Sequence, residues 1–129
     1  LKELSYIHAT GYPSGEMKHG PIAILDSSVP VLNIAISGKT EFEETIYKKT
    51  LSNAEEAKAR MSPSLVVACD SDENVENLFD DVIRIPDISQ IFSPIVATIP
   101  LQFLAYFIAE NLGKDVDQPR NLAKSVTVE

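Results

Sequence analysis

Three short, almost purely apolar runs constrain this chain most: Val29 to Ile36 (VPVLNIAI), Leu65 to Cys69 (LVVAC) and Val82 to Ile85 (VIRI). A strand wetted on one face alternates apolar and polar residues, whereas a strand covered on both faces reads as a continuous apolar run. The segments between these runs carry helical spacing or turn residues. The predicted order is helix, strand, helix, strand, strand, helix, tail. Strands alternating with helices indicate an α/β fold, a three-layer αβα sandwich around a mainly parallel sheet. Such sheets take ligands beyond the carboxyl ends of their strands.

Local signals set the expected boundaries. Lys2 to Tyr12 is predicted helical, with Leu4, Ile7, His8 and Gly11 on one face. A short helical piece is expected from Pro21 to Leu25, with Pro at its first position. Ser37-Gly38-Lys39 turns the chain, and Thr40 with Glu43 three residues later forms a capping box. The helix it opens carries Phe42, Ile46, Thr50, Ala54, Ala57 and Met61 at 3.6-type spacing, and Ser62-Pro63 ends it. Asp70 to Asn74 reads as an acidic loop, and Val75 to Phe79 as a short helix. Ile91 to Leu112 is apolar and helical, with a kink or two abutting helices expected at Pro100 and a C-cap at Gly113. Asp115 to Glu129 is a polar, irregular tail.

Composition removes several function classes. With 129 residues, 44% of them hydrophobic, the chain suits one folded domain and not a disordered segment. A net charge of −8 argues against nonspecific binding to nucleic acid or to anionic membrane. No apolar run approaches the ~20 residues of a bilayer span. Cys69, the single cysteine, has no partner for an internal disulfide, which fits a reducing compartment. The start, Leu1-Lys2-Glu3-Leu4, reads as that of a chain cut from something longer.

Several residue patterns invite chemistry and fail on spacing. Ser37-Gly38-Lys39-Thr40 resembles the end of a phosphate-binding loop, but the first glycine of that motif falls at Asn33, inside a strand. Cys69 ends an apolar strand and reads as a buried, inert thiol. Asp70 and Asp72 read as a solvated loop, and His8 as a packed or interface histidine on a helix face. His8 and His19 provide no zinc-ligand spacing, so no metal site is expected. Glu3 near a helix start, His19 in the constrained Lys18-His19-Gly20-Pro21 loop and Lys124 in the tail are a carboxylate, an imidazole and an amine. Together they suit proton transfer and imine chemistry on a carbonyl compound. Their spacing does not show that they meet.

Read as strings, the segments are more informative. Lys2-Glu3-Leu4-Ser5-Tyr6-Ile7-His8, Gly15-Glu16-Met17-Lys18-His19-Gly20-Pro21 and the tail from Asp115 to Glu129 (DVDQPRNLAKSVTVE) resemble the glutamine–fructose-6-phosphate aminotransferase (isomerising) family, the glucosamine-6-phosphate synthases. The resemblance covers essentially the whole chain in order and is most specific in the tail. It implies a SIS-type (sugar isomerase) sandwich: a second SIS domain at residues 1–114 and a tail at 115–129 that closes the sugar site.

The resemblance also implies an activity. In that family a glutaminase domain releases ammonia, and two SIS domains convert fructose 6-phosphate to glucosamine 6-phosphate without a metal or organic cofactor. Glu3 matches the glutamate that moves a proton between C1 and C2. His19 matches the histidine that opens the fructose ring from the neighbouring subunit, and Lys124 the lysine that forms an imine with the sugar carbonyl. Ala123 matches a sugar-contacting position, and Leu122 and Val126 match residues lining the ammonia channel. The serine- and threonine-rich phosphate loop belongs to the first SIS domain, so this chain alone is expected to be inactive. The implied partners are the sugar phosphates, the first SIS and glutaminase domains and a second copy in a homodimer, with no nucleic acid or membrane, in the cytoplasm. The alternative is a noncatalytic SIS module that senses phosphosugars, and a third reading is a structural dimerisation fragment.

Overall fold

The computed structural model describes residues 1–120. The elements are α1 (Lys2–Ser5), β1 (Val31–Ala35), α2 (Glu41–Lys58), β2 (Ser64–Cys69), β3 (Asp81–Ile85) and α3 (Ser93–Asn111), with 3-10 turns at Ser14–His19, Pro21–Ile24 and Glu73–Val75. They fall into two compact units, Tyr12–Thr98 and the chain ends from Leu1–Gly11 and from Ile99 onward.

The larger unit holds the sheet. Its three strands lie in the order β1-β2-β3. Both pairings are parallel, with Ala35 opposite Ala68 and Ala68 opposite Arg84. All three apolar runs are therefore strands, as their continuity predicts. Paired residues in a parallel sheet share a face, so Ala35, Val66, Ala68 and Val82 point the same way. They form one core with Tyr47, Leu51 and Ala54 of α2 and with Val75, Leu78 and Phe79. The other face carries Val67, Cys69 and Ile85, also buried. Cys69 is a free thiol in that interior, as read from sequence.

The capping box at α2 forms as its residues predict. Thr40 Oγ1 accepts from the Glu43 N–H, and Glu43 Oε2 accepts from the Thr40 N–H. The buried stripe of α2 keeps the expected Ala54 and Ala57 and differs elsewhere. Tyr47, Ala54 and Ala57 are buried, whereas Phe42 and Met61 are 74% and 77% exposed. The stripe is rotated because Tyr47, an amphipathic residue, buries its ring and finds a partner for its hydroxyl. Met61 lies beyond the helix end with φ at 62°. Val75 to Phe79 makes only the 3-10 turn Glu73–Val75, led by the Asp72 side chain, which accepts from the Asn74 N–H.

The smaller unit departs further from expectation. The first helix is a single turn, because Tyr6 takes a left-handed conformation (φ 60°) and closes it with an N–H bond to the Lys2 carbonyl. His8 therefore lies outside any helix, exposed, with its Nε2 3.2 Å from the Thr10 hydroxyl; it is not a packed histidine.

α3, which contributes residues to both units, is one continuous helix through Pro100 and not two abutting pieces. Pro94 sits in its first turn, where a missing N–H costs nothing. At 19 residues, with an 18-residue window of mean hydropathy 1.3, α3 is long and apolar enough to cross a membrane by length and composition. This corrects the expectation that no segment approaches that length. After α3 the Gly113 N–H bonds the Glu110 carbonyl at 2.8 Å and the Lys114 N–H the Ala109 carbonyl at 2.9 Å, a Schellman closure at the expected glycine.

Candidate functional site

Glu3 and His19 belong to different units, and each is described within its own. Glu3 stands exposed in α1, in a shallow depression lined also by Leu1, Lys2, Leu4 and Ala9. A carboxylate in a helix's first turn is favoured by the orphan N–H groups there. Leu122, Ala123, Lys124 and Val126 lie outside the described residues.

His19 is exposed at the end of the 3-10 turn Ser14–His19, not in an irregular loop. Two contacts fasten that turn to α2: Asn53 Nδ2 donates to Ser14 Oγ at 3.0 Å, and the Lys18 ammonium meets Glu56 Oε1 at 2.6 Å. Gly20 follows with φ at 135°, a conformation that strains any residue with a Cβ. The imidazole is thus presented by a turn pinned before it and redirected after it.

The carboxyl ends of the strands, where such sheets take ligands, carry three loops. After β1, Glu43 Oε2 accepts from both the Lys39 and Thr40 N–H groups at 3.0 Å. Those hydrogen bonds, from Thr40 first, hold the Glu43 carboxyl below the usual carboxylate range. Donors that would cradle a phosphate are therefore already satisfied, which bears out the reading of this loop as a turn and cap. A Cβ at Gly38 would lie 2.0 Å from Glu43 Cβ, so glycine is required for the close approach.

After β2, Asp72 is 4% exposed, which corrects its reading as part of a solvated loop. Its Oδ2 accepts from the Tyr47 hydroxyl at 2.7 Å. Burial, and then that carboxylate, push the Tyr47 phenol well above its ordinary value. Arg84, from β3, donates to the Cys69 and Asp72 carbonyls at 2.7 Å each and pairs with Glu76. After β3, Ser71 Oγ donates to Asp87, and Gln90 Nε2 donates to the Ile36 carbonyl at 3.0 Å. This edge is braced by its own side chains and is rich in acids, which suits an architectural role better than anion binding. Sequence reasoning missed this network, although a lone arginine in the VIRI strand signals it.

In the smaller unit, the residues missed are Tyr6 and Arg120. The Arg120 guanidinium lies over the Tyr6 ring, 4.1 Å from its centroid, and the Arg120 backbone N–H donates to the Tyr6 hydroxyl oxygen at 3.0 Å. Among the described residues no group of three or more His, Cys, Asp or Glu is arranged to hold a metal ion.

Comparison with known proteins assigns the fold. Residues 1–109 match the SIS domain. The chain belongs to the SIS domain family. The structure is similar to the "C-terminal domain of glucosamine-fructose-6-phosphate aminotransferase from Francisella tularensis", with a TM-score of 0.74 and 38% identity, over 89% of this chain and 31% of that one. The parallel sheet and its helices are thus a SIS-type α/β sandwich, as the sequence predicts. Proteins named glutamine--fructose-6-phosphate aminotransferase (isomerizing) match all of this chain: 58% identical in Gloeobacter violaceus and 54% in Thermus thermophilus, in each case covering 20% of the relative. The SIS chain described here therefore spans about a fifth of the length of those relatives.

Proposed function

We propose that this chain is the second SIS domain (1–114) and closing tail (115–129) of a glutamine–fructose-6-phosphate aminotransferase, working within a longer enzyme. Identity of 58% over all 129 residues with a protein of that name carries the reading. The exposed positions of Glu3 and of His19, the latter on a fastened turn, support it.

In this reading His19 of one subunit opens the fructose 6-phosphate ring in the neighbouring subunit's site. The neutral Lys124 amine then adds to the C2 carbonyl, and water leaves as the imine forms. Ammonia from glutamine displaces the lysine, which leaves as the free amine. The Glu3 carboxylate takes a proton from C1 and returns one to C2, which yields the 2-amino aldose. Ala123 contacts the sugar, and Leu122 and Val126 line an apolar path for ammonia. Lys124 supplies the covalent link itself, so the chemistry calls for no metal or organic cofactor.

The phosphate is held by the domain outside this chain. The exposed apolar side chains of α3, Phe103 and Phe107 among them, serve packing within the assembled homodimer and not membrane insertion. A cytoplasmic site and independence from nucleic acid follow from the same reading.

The test is the full-length enzyme with Glu3→Gln. Glutamine and fructose 6-phosphate should give glucosamine 6-phosphate with wild type. The variant should lose about 10²–10⁴-fold in rate, the usual contribution of a positioned acid–base group. Wild-type turnover in the variant would refute the role of Glu3.

A further inference from the structure

The turn that presents His19 is held by a row of α2 distinct from the one that packs on the sheet. Tyr47, Ala54 and Ala57 bury one stripe of α2. Tyr47 and Ala54 belong to the core shared with the strands. Asn53 and Glu56, three residues apart and both half-buried, form the neighbouring row. Asn53 Nδ2 donates to Ser14 Oγ at 3.0 Å, at the start of the Ser14–His19 turn. Glu56 Oε1 meets the Lys18 ammonium at 2.6 Å, one residue before His19. Both ends of the turn are thus fixed to one helix, which is capped at Thr40 and anchored on the sheet.

His19 itself is exposed, so the place of its ring follows from the backbone that carries it. Ring opening is sensitive to that place. Opening a fructofuranose breaks the bond between C2 and the ring oxygen. The C2 hydroxyl gives up its proton and the departing oxygen gains one, which leaves a C2 ketone and a free 5-hydroxyl. The group that moves these protons must stand within about 2.6–3.2 Å of them. A misplacement of about 1 Å can lower a rate about 10²-fold, even when its cause lies far from the chemistry. The Lys18–Glu56 pair is a weak tether alone, because its side chains are 44% and 40% exposed and such pairs contribute little. The half-buried Asn53 amide is the firmer of the two contacts.

We propose that Asn53, supported by Glu56, is a positioning residue for ring opening: it holds the Ser14–His19 turn against α2, so that the imidazole stands where the furanose oxygen departs. This rests on the ring-opening reading of His19 above.

The test uses the full-length enzyme and two substrates, fructose 6-phosphate and 5-deoxyfructose 6-phosphate. The second lacks the hydroxyl that closes the ring, and its 6-oxygen is esterified, so it stays open-chain. Asn53→Ala, a substitution that suits a helix, should lower kcat on fructose 6-phosphate about tenfold and on the open-chain analogue less than about twofold. Glu56→Gln should show the same selectivity with a loss of about threefold. Asn53→Asp keeps the reach, accepts from the Ser14 hydroxyl and should recover most of the rate. Lys48→Ala, exposed elsewhere on α2, should leave both rates unchanged. Amide hydrogen exchange should speed up in Asn53→Ala over residues 12–20 and keep wild-type rates in the three strands. Wild-type exchange over residues 12–20 in Asn53→Ala overturns the proposal, as does an equal loss on both substrates. Equal loss on both substrates in His19→Ala would instead overturn the ring-opening reading, while the exchange measurement still decides whether Asn53 holds the turn.

Discussion

Replacing Asp72 with alanine should destabilise this fold by about 3–5 kcal/mol, far more than its place in an acidic loop suggests. The carboxylate is 4% exposed and accepts three hydrogen bonds: from Tyr47 Oη at 2.7 Å, the Asn74 N–H at 3.1 Å and Asn74 Nδ2 at 3.3 Å. Hydrogen bonds to a charged group contribute about 1.5–3 kcal/mol, and a buried hydroxyl left without its partner costs about 1–3 kcal/mol more. Tyr47→Phe removes one donor and leaves the other two, so its cost should be about 1.5–3 kcal/mol. Urea unfolding followed by circular dichroism measures both.

A pH arm isolates the pair. The Tyr47 phenol is raised above 10.0 in the folded state, first by burial and then by Asp72, so the folded chain holds that proton more tightly than the unfolded chain. The stability it supplies is complete below the ordinary phenol value near 10.0 and is lost as pH rises beyond it. Wild type should therefore weaken above that pH, and Tyr47→Phe should lack this component. An Asp72→Ala variant within about 0.5 kcal/mol of wild type, the usual range for a surface change, would refute the reasoning.

Thr40→Ala, which removes the cap on α2, should cost about 1 kcal/mol in the same urea assay. Glu43, lowered by the Thr40 and Lys39 N–H groups, gives stability that is present above its ordinary value of 4.5 and lost as pH falls through its depressed folded value; Glu43→Gln should flatten that acid limb. In the full-length enzyme, mixing His19→Ala subunits with Lys124→Arg subunits should restore part of the activity, because one site in each mixed dimer has both residues intact; no recovery despite proven subunit exchange would count against a shared site.

The parts of the fold that were legible rest on short-range physics. The runs around Val66, Ala35 and Ile85 had to be buried strands, and Thr40 with Glu43 had to cap a helix, because few other structures satisfy those side chains. The errors lie where tertiary partners decide. Phe42 looked like core and is exposed, because the register of α2 follows Tyr47 and its bond to Asp72. Lys2 to Tyr12 looked helical, yet Tyr6 turns left-handed against Arg120, 114 residues away. Of the kink or two abutting helices that Pro100 suggests, the second does not form, and α3 continues through it. The roles proposed for Glu3, His19 and Lys124 rest on resemblance: their types suit imine and proton chemistry, but no spacing along the chain reports which residues meet in space.

Trapping the covalent intermediate tests the central claim most directly. The intact enzyme is incubated with fructose 6-phosphate and borohydride, and the modified peptide is identified by mass spectrometry. The account predicts a sugar adduct on Lys124 in wild type and none in Lys124→Arg, which keeps the charge but cannot form the imine. An adduct that persists in Lys124→Arg, or that falls on a different lysine in wild type, would contradict it.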